Sequence, residues 1–144
     1  MSLPKLRLKN GRFASLQQII NSLQNPAPLL DQVGQYLKKS TQERISTTKK
    51  SPSDQPWAPW ADVTAMAREK KGTAGRGLLF DSGALYDSID YQVQAKSVIV
   101  GAGVSYARFL QAGTFNMPAR PFIGFSQQDK TNIHNMVVEY LKTR

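Results

Sequence analysis

Three groups of residues have the types and spacing that catalysis or ligand binding uses, and each also has a plainer reading. Asp81, Asp87 and Asp90 bring three carboxylates close together in sequence, the oxygen donors a hard cation takes. Asp87 and Asp90 fall on one side of a helix, yet capping and solvation explain all three far better than a metal site does. His134 is the single histidine, with no serine or carboxylate around it in a triad-like pattern. Gly72 to Gly77 is glycine-rich but lacks the Gly-Lys-Ser/Thr ending of a phosphate loop. Gly101-Ala102-Gly103 lacks the third glycine of a dinucleotide fingerprint. With no cysteine there is no thiolate nucleophile, disulfide or zinc–sulfur site. No nucleophile–base pair is legible, so the chain reads as a non-enzyme without cofactor or metal.

Other residues point to binding. The pairs Lys38-Lys39, Lys49-Lys50 and Lys70-Lys71, with Lys5, Arg7 and Lys9 near the start, could neutralise phosphates or meet an acidic partner. Trp57 and Trp60 stand among prolines and could stack on bases, form a subunit contact, or pin a loop to its own domain. The run Pro118-Ala119-Arg120-Pro121-Phe122-Ile123-Gly124 has two prolines that fix the backbone around an arginine and an anchoring phenylalanine. Arg120, Pro121 and Phe122 therefore form either a preorganised contact loop or a structural support.

The elements that must position these residues follow from periodicity. Phe13, Leu16, Ile19, Ile20 and Leu23 define one helical face, which Asn25-Pro26 ends. Leu29, Leu30, Val33, Tyr36, Leu37 and Ile45 predict a second helix over 28–46, making a helical hairpin. The proline-rich stretch 47–62 reads as a flexible extended loop, 63–71 as a short helix, and 72–77 as a flexible basic loop. Asp81 or Ser82 is expected to cap a short helix through Leu85 to Ser88. Ile89, Tyr91 and Val93 alternate with polar residues, and Val98, Ile99 and Val100 follow a turn, which predicts two antiparallel strands. A helix over 106–112 stops at Gly113, and Ser126 caps a last helix carrying Ile133, Val137 and Leu141. The fold class is α+β: a small antiparallel sheet packed with an N-terminal helical hairpin and a C-terminal helix. The expected core is Leu16, Ile20, Leu37, Leu85, Ile89, Val98, Val100, Tyr106, Phe122, Ile133 and Val137.

The 144 residues suit one domain over 13–144, preceded by a mobile basic arm at 1–12. Nothing approaches the roughly 20 apolar residues of a membrane helix, and the N-terminus is not a secretory signal. The chain thus reads as soluble. The net charge is +9, of which +8 falls in residues 1–76 and +1 in residues 77–144. Such asymmetry marks a functional arm or face, or a lysine-rich solvated surface.

At the proline-bounded run the chain resembles the Mu-like phage virion morphogenesis family, also described as tail completion proteins. The resemblance covers roughly residues 10–143. Its landmarks occur in the family's order: Pro56-Trp57-Ala58-Pro59, Thr64, Lys70-Lys71, Leu79, Ser82-Gly83-Ala84-Leu85 and Ser88-Ile89. Val100-Gly101, Tyr106-Ala107, Gln111-Ala112-Gly113-Thr114 and Pro118 to Gly124 complete the set. Departures are Ser82 in place of threonine, Leu110-Gln111 in place of a His-Gln pair, and Trp60-Ala61 in place of a Leu-Ser pair. The resemblance implies a structural, non-catalytic role in completing or terminating the tail and joining it to the head. It implies a ring of identical subunits, a hexamer being one size, that meets tail tube and head–tail connector proteins. The implied location is the neck or upper tail of the virion, with assembly in the host cytoplasm. The alternative is a stand-alone basic nucleic-acid-binding protein, and contact with phage DNA is compatible with both.

Overall fold

A computed structural model describes residues 18–142 of the chain. The expectations for the arm at 1–12, for Lys5, Arg7 and Lys9, and for Leu16 lie outside the described residues. Of the first expected helix, residues 18–22 are described and helical, with Ile20 buried.

Helix α1, Ala27–Glu43, organises the molecule. Pro28 stands in its first turn, where a missing N–H costs nothing. Leu29, Leu30, Val33, Leu37 and Thr41 recur at steps of one to four and are all buried. The helix continues as a π-turn, Arg44–Thr48, which buries Ile45 completely. Lys49 closes this turn in a left-handed conformation (φ 58°), its N–H donating to the Arg44 carbonyl at 2.8 Å. The predicted end at residue 46 thus moves to 48, because the wider winding absorbs what would have been a terminating turn.

The sheet has two antiparallel strands, β1 (Ile89–Val93) and β2 (Val98–Ala102), with Ile89 opposite Ala102 and Val93 opposite Val98. β1 alternates buried Ile89 with exposed Asp90 and Gln92, whereas the apolar run of β2 is buried throughout. α1 lies across both strands. Its closest approach is at Gly34, where a Cβ would stand 2.2 Å from the Tyr91 ring. The Tyr91 hydroxyl donates to Asp31 at 2.7 Å, so ring and hydroxyl together fix the helix on the strand.

Three short helices follow the chain's remaining turns: α2 (Asp62–Lys71), α3 (Ala84–Ser88) and α4 (Ala107–Ala112). The last helix, α5 (Gln127–Lys142), packs against α1 through Ile133 and Val137. The architecture is the expected α+β arrangement, a small antiparallel sheet with helices at both ends of the chain. Ile20, Leu37, Leu85, Ile89, Val98, Val100, Phe122, Ile133 and Val137 are buried as expected.

Two expectations are corrected. Tyr106 is not core: it is 45% exposed, and Ala107 takes the inward position. Tyr106 stands at the N-cap of α4, so the inward stripe starts one residue later. Neither Asp81 nor Ser82 occupies the N-cap of α3, which falls to Gly83 at φ 96°. Ser82 Oγ accepts from the Ala84 N–H at 3.3 Å, while Asp81 turns back toward α2. Among the described residues no helix is long and apolar enough to cross a membrane.

Candidate functional site

The Pro118–Gly124 run lies between α4 and α5, and other parts of the chain hold it from several sides. Arg120 is buried, its Nε donating to the Ala58 carbonyl and its Nη2 to the Pro59 carbonyl, both at 2.8 Å. The Pro121 carbonyl accepts the indole N–H of buried Trp57 at 2.7 Å. Phe122 is fully buried, and its carbonyl accepts from Arg44 Nη1 at 2.6 Å. Gln111, on α4, accepts the N–H groups of Phe122 and Ile123 at 3.0 Å each and donates to the Ile123 carbonyl at 2.8 Å. The prolines remove donors from this run, and side chains from three distant segments satisfy the groups that remain.

Arg44 connects the run to a buried ion pair. Its Nη2 lies 2.9 Å from Asp129 Oδ2, and both side chains are almost wholly buried. Asp129 Oδ1 also accepts from the Tyr36 hydroxyl at 2.8 Å and the Ser40 hydroxyl at 2.6 Å. Asp129 and Ser126 form a reciprocal cap at the start of α5: Ser126 N–H to Asp129 Oδ2 at 3.0 Å, Asp129 N–H to Ser126 Oγ at 2.9 Å. Burial pushes the Asp129 carboxyl upward, but the bonds from Ser40, Ser126 and Tyr36 and the Arg44 charge outweigh it, leaving the pKa below the ordinary value. Burial dominates for Arg44, whose pKa is lowered despite the facing carboxylate. Tyr36 is pushed up to about 12, first by burial and further by its bond to Asp129. The charges are neutralised and satisfied in place, so this network holds α1, the run and α5 together.

Trp60 does not join Trp57. Its indole N–H donates to the Leu78 carbonyl at 3.1 Å, and the Arg68 guanidinium lies 4.4 Å from its ring centroid. Arg68 is the only buried residue of α2. It donates to Thr73 Oγ1 at 2.9 Å, to the Gly77 carbonyl at 2.7 Å and to the Phe80 carbonyl, and it pairs with Asp81 at 3.4 Å. Asp81 also takes Lys71 at 3.1 Å, and this bond, then one from Thr73, lowers its pKa.

The lysine pairs divide by residue. Lys38 lies 3.7 Å from Asp90, Lys50 lies 3.7 Å from Asp54, and Lys71 is held by Asp81. Such exposed pairs contribute little to stability. Lys39 and Lys50 line an open groove of about 900 Å³ whose other walls include Tyr36, Asp54 and Gln128. The Lys49 side chain packs over Gly77, and Lys70 is exposed on α2. Asp87 and Asp90 are both exposed, Asp90 paired with Lys38. Among the described residues no three His, Cys, Asp or Glu side chains converge as metal ligands would. His134 Nδ1 is buried with no hydrogen-bond partner among them.

The structure therefore unites Arg120, Pro121, Phe122 and Trp57, and places Trp60 and the lysines elsewhere. Arg44, Gln111, Asp129 and Arg68 were not singled out as site residues. The readable signals among them were the Ser126-x-x-Asp129 spacing of a cap and the place of Gln111 in the Gln111-Ala112-Gly113-Thr114 landmark.

Residues 13–142 match the phage virion morphogenesis family, and the chain belongs to that family. No curated protein and no solved structure matches the chain. Membership points to a structural part in building the virion rather than a catalytic one.

Proposed function

We propose that this protein completes or terminates the phage tail and takes part in joining it to the head, as one subunit of a ring. The observation that carries the reading is the family match over residues 13–142, nearly the whole chain. The braced run supports it, since a rigid subunit loses less entropy on assembly than a flexible one. In this reading the protein is not an enzyme and sits at the neck or upper tail, against tail tube and connector proteins. Arg120, buried and with Nε and Nη2 donating to backbone carbonyls of its own chain, acts as a support rather than a direct contact.

The test is a phage lacking this gene, examined by electron microscopy and complemented in trans. The expected result is separate heads and tails, or tails of irregular length, restored to joined particles by the wild-type gene. Infectious joined particles without the gene would sink the reading. Tight binding of the isolated chain to DNA, with a steep loss on adding salt, would favour the stand-alone nucleic-acid reading instead.

A further inference from the structure

Helix α2 is built inside out. Its one inward anchor is a guanidinium, Arg68, while Val63 is 81% exposed and Met66 is 70% exposed. At 100° per residue, Asp62, Val63, Met66, Glu69 and Lys70 fall on the side opposite Arg68. Met66, Ala67, Glu69 and Lys70 also line a shallow depression of about 410 Å³. Val63 and Met66 thus place apolar area at the centre of the helix's outer face, where a partner surface can cover it.

A second exposed feature has the opposite shape. After α4 the chain makes a tight turn in which Thr114 and Met117 exchange backbone hydrogen bonds at 2.9 and 3.2 Å. Gly113, at φ 77°, permits it: a Cβ there would stand 2.8 Å from the Ala119 nitrogen. The Arg120 N–H, donating to the Leu110 carbonyl at 2.6 Å, closes the base of the turn. At the tip stands Phe115, 102% exposed. Tyr106 and Phe109 are exposed on α4 just before it, and the Arg108 guanidinium lies 4.8 Å from the Phe109 ring.

Beside the strip Asp62 and Glu69 carry the charge opposite to that of Arg108, while Lys70 is a cation on the same side. Among the described residues Arg108 makes no ion pair, and neither do Asp62 and Glu69. We propose that copies of this chain associate head to tail, Phe115 and Phe109 of one copy seating on the Val63–Met66 strip of the next while Arg108 faces Asp62 and Glu69. The occupant is thus a second copy of this chain. Because the two surfaces use different residues, a joined pair still presents one free knob at one end and one free strip at the other, and addition continues until a ring closes. The contact rests on the ring reading above and names the surfaces that make it.

The test uses the full-length chain, with mass measured by light scattering over a range of concentrations. Wild type is expected to form species larger than a dimer. M66E and F115E alter only exposed side chains, and each alone is expected to be monomeric with an unchanged circular dichroism spectrum. An equal mixture of the two variants is expected to give a heterodimer and nothing larger, because each retains one intact surface. R108E is expected to weaken association about tenfold, and R108E combined with E69R to restore it. A wild-type oligomer that persists in both M66E and F115E overturns this contact and leaves the ring reading standing. A mixture that stays monomeric overturns the pairing of these two surfaces. A wild type that is monomeric at every concentration, and also with purified tails, overturns the ring reading itself.

Discussion

Of the three buried arginines among the described residues, Arg44 and Arg68 do opposite work in their regions. Arg44 sits in the body, where a guanidinium, a carboxylate, two hydroxyls and a carbonyl satisfy one another among fully buried apolar side chains. Arg68 is the one buried anchor of α2, bonded to carbonyls of one following loop and stacked on Trp60, with no apolar residue of α2 buried beside it. In the first region the polar groups are paired off against one another beside the apolar core, in the wall of the groove that Tyr36, Ser40, Arg44 and Asp129 line. In the second, polarity faces inward and apolar side chains face water. The first arrangement stabilises a subunit, and the second leaves hydrophobic area unused until something covers it.

The sharpest way to break this contrast is at Asp129. Asp129→Ala leaves Arg44 buried without its counter-charge and is expected to destabilise the chain by about 3–5 kcal/mol in urea unfolding. A loss under about 1 kcal/mol would mean water reaches the pair and the body is not sealed. The same residue sets an acid limit. Its folded pKa lies below the unfolded carboxylate value of about 3.9, so its stabilisation is present above that pH and is lost as pH falls through the folded value. Asp129→Asn is expected to flatten the acid arm of the stability–pH curve below about pH 4.

A smaller effect is expected at Arg68. Arg68→Ala removes charge-assisted bonds worth about 1.5–3 kcal/mol each when buried, but from a locally attached helix. Hydrogen exchange is expected to accelerate over 60–81 while amides in α1 and α5 keep their protection. Equal loss of protection in both regions would erase the distinction between them. The smallest effect is expected at Met66. Met66→Glu on the dilute monomer should change stability by less than about 0.5 kcal/mol, since nothing in the described structure packs on that side chain. A larger loss would show that the strip is covered within its own chain.

How legible each region was follows from the distance over which its residues act. The two strands were readable because Ile89, Tyr91 and Val93 alternate locally, and α5 because Ile133 and Val137 share a face behind a Ser126 cap. The proline-bounded run was readable as a rigid loop because proline fixes its own backbone. Its bracing was not, since Arg44 and Trp57 reach it from 78 and 64 residues away. Arg68 was hidden for a different reason. Its partners are mostly main-chain carbonyls, which every residue type carries, so no side-chain pattern announces a buried guanidinium among exposed lysines. Gly34, a residue type that disfavours helix, is a necessity within α1, because Tyr91 occupies the space a side chain there would need.

The Arg44–Asp129 pair has a consequence in time. Its members lie 85 residues apart, so Arg44 has no counter-charge until most of the chain has been synthesised. At translation rates of about 5–20 residues per second, that interval is roughly 4–17 s. The α1 segment must wait through it with a cation that cannot yet be sealed inside. The body therefore locks late, when the start of α5 arrives, and a contact of such long sequence separation predicts slow folding for so small a sheet.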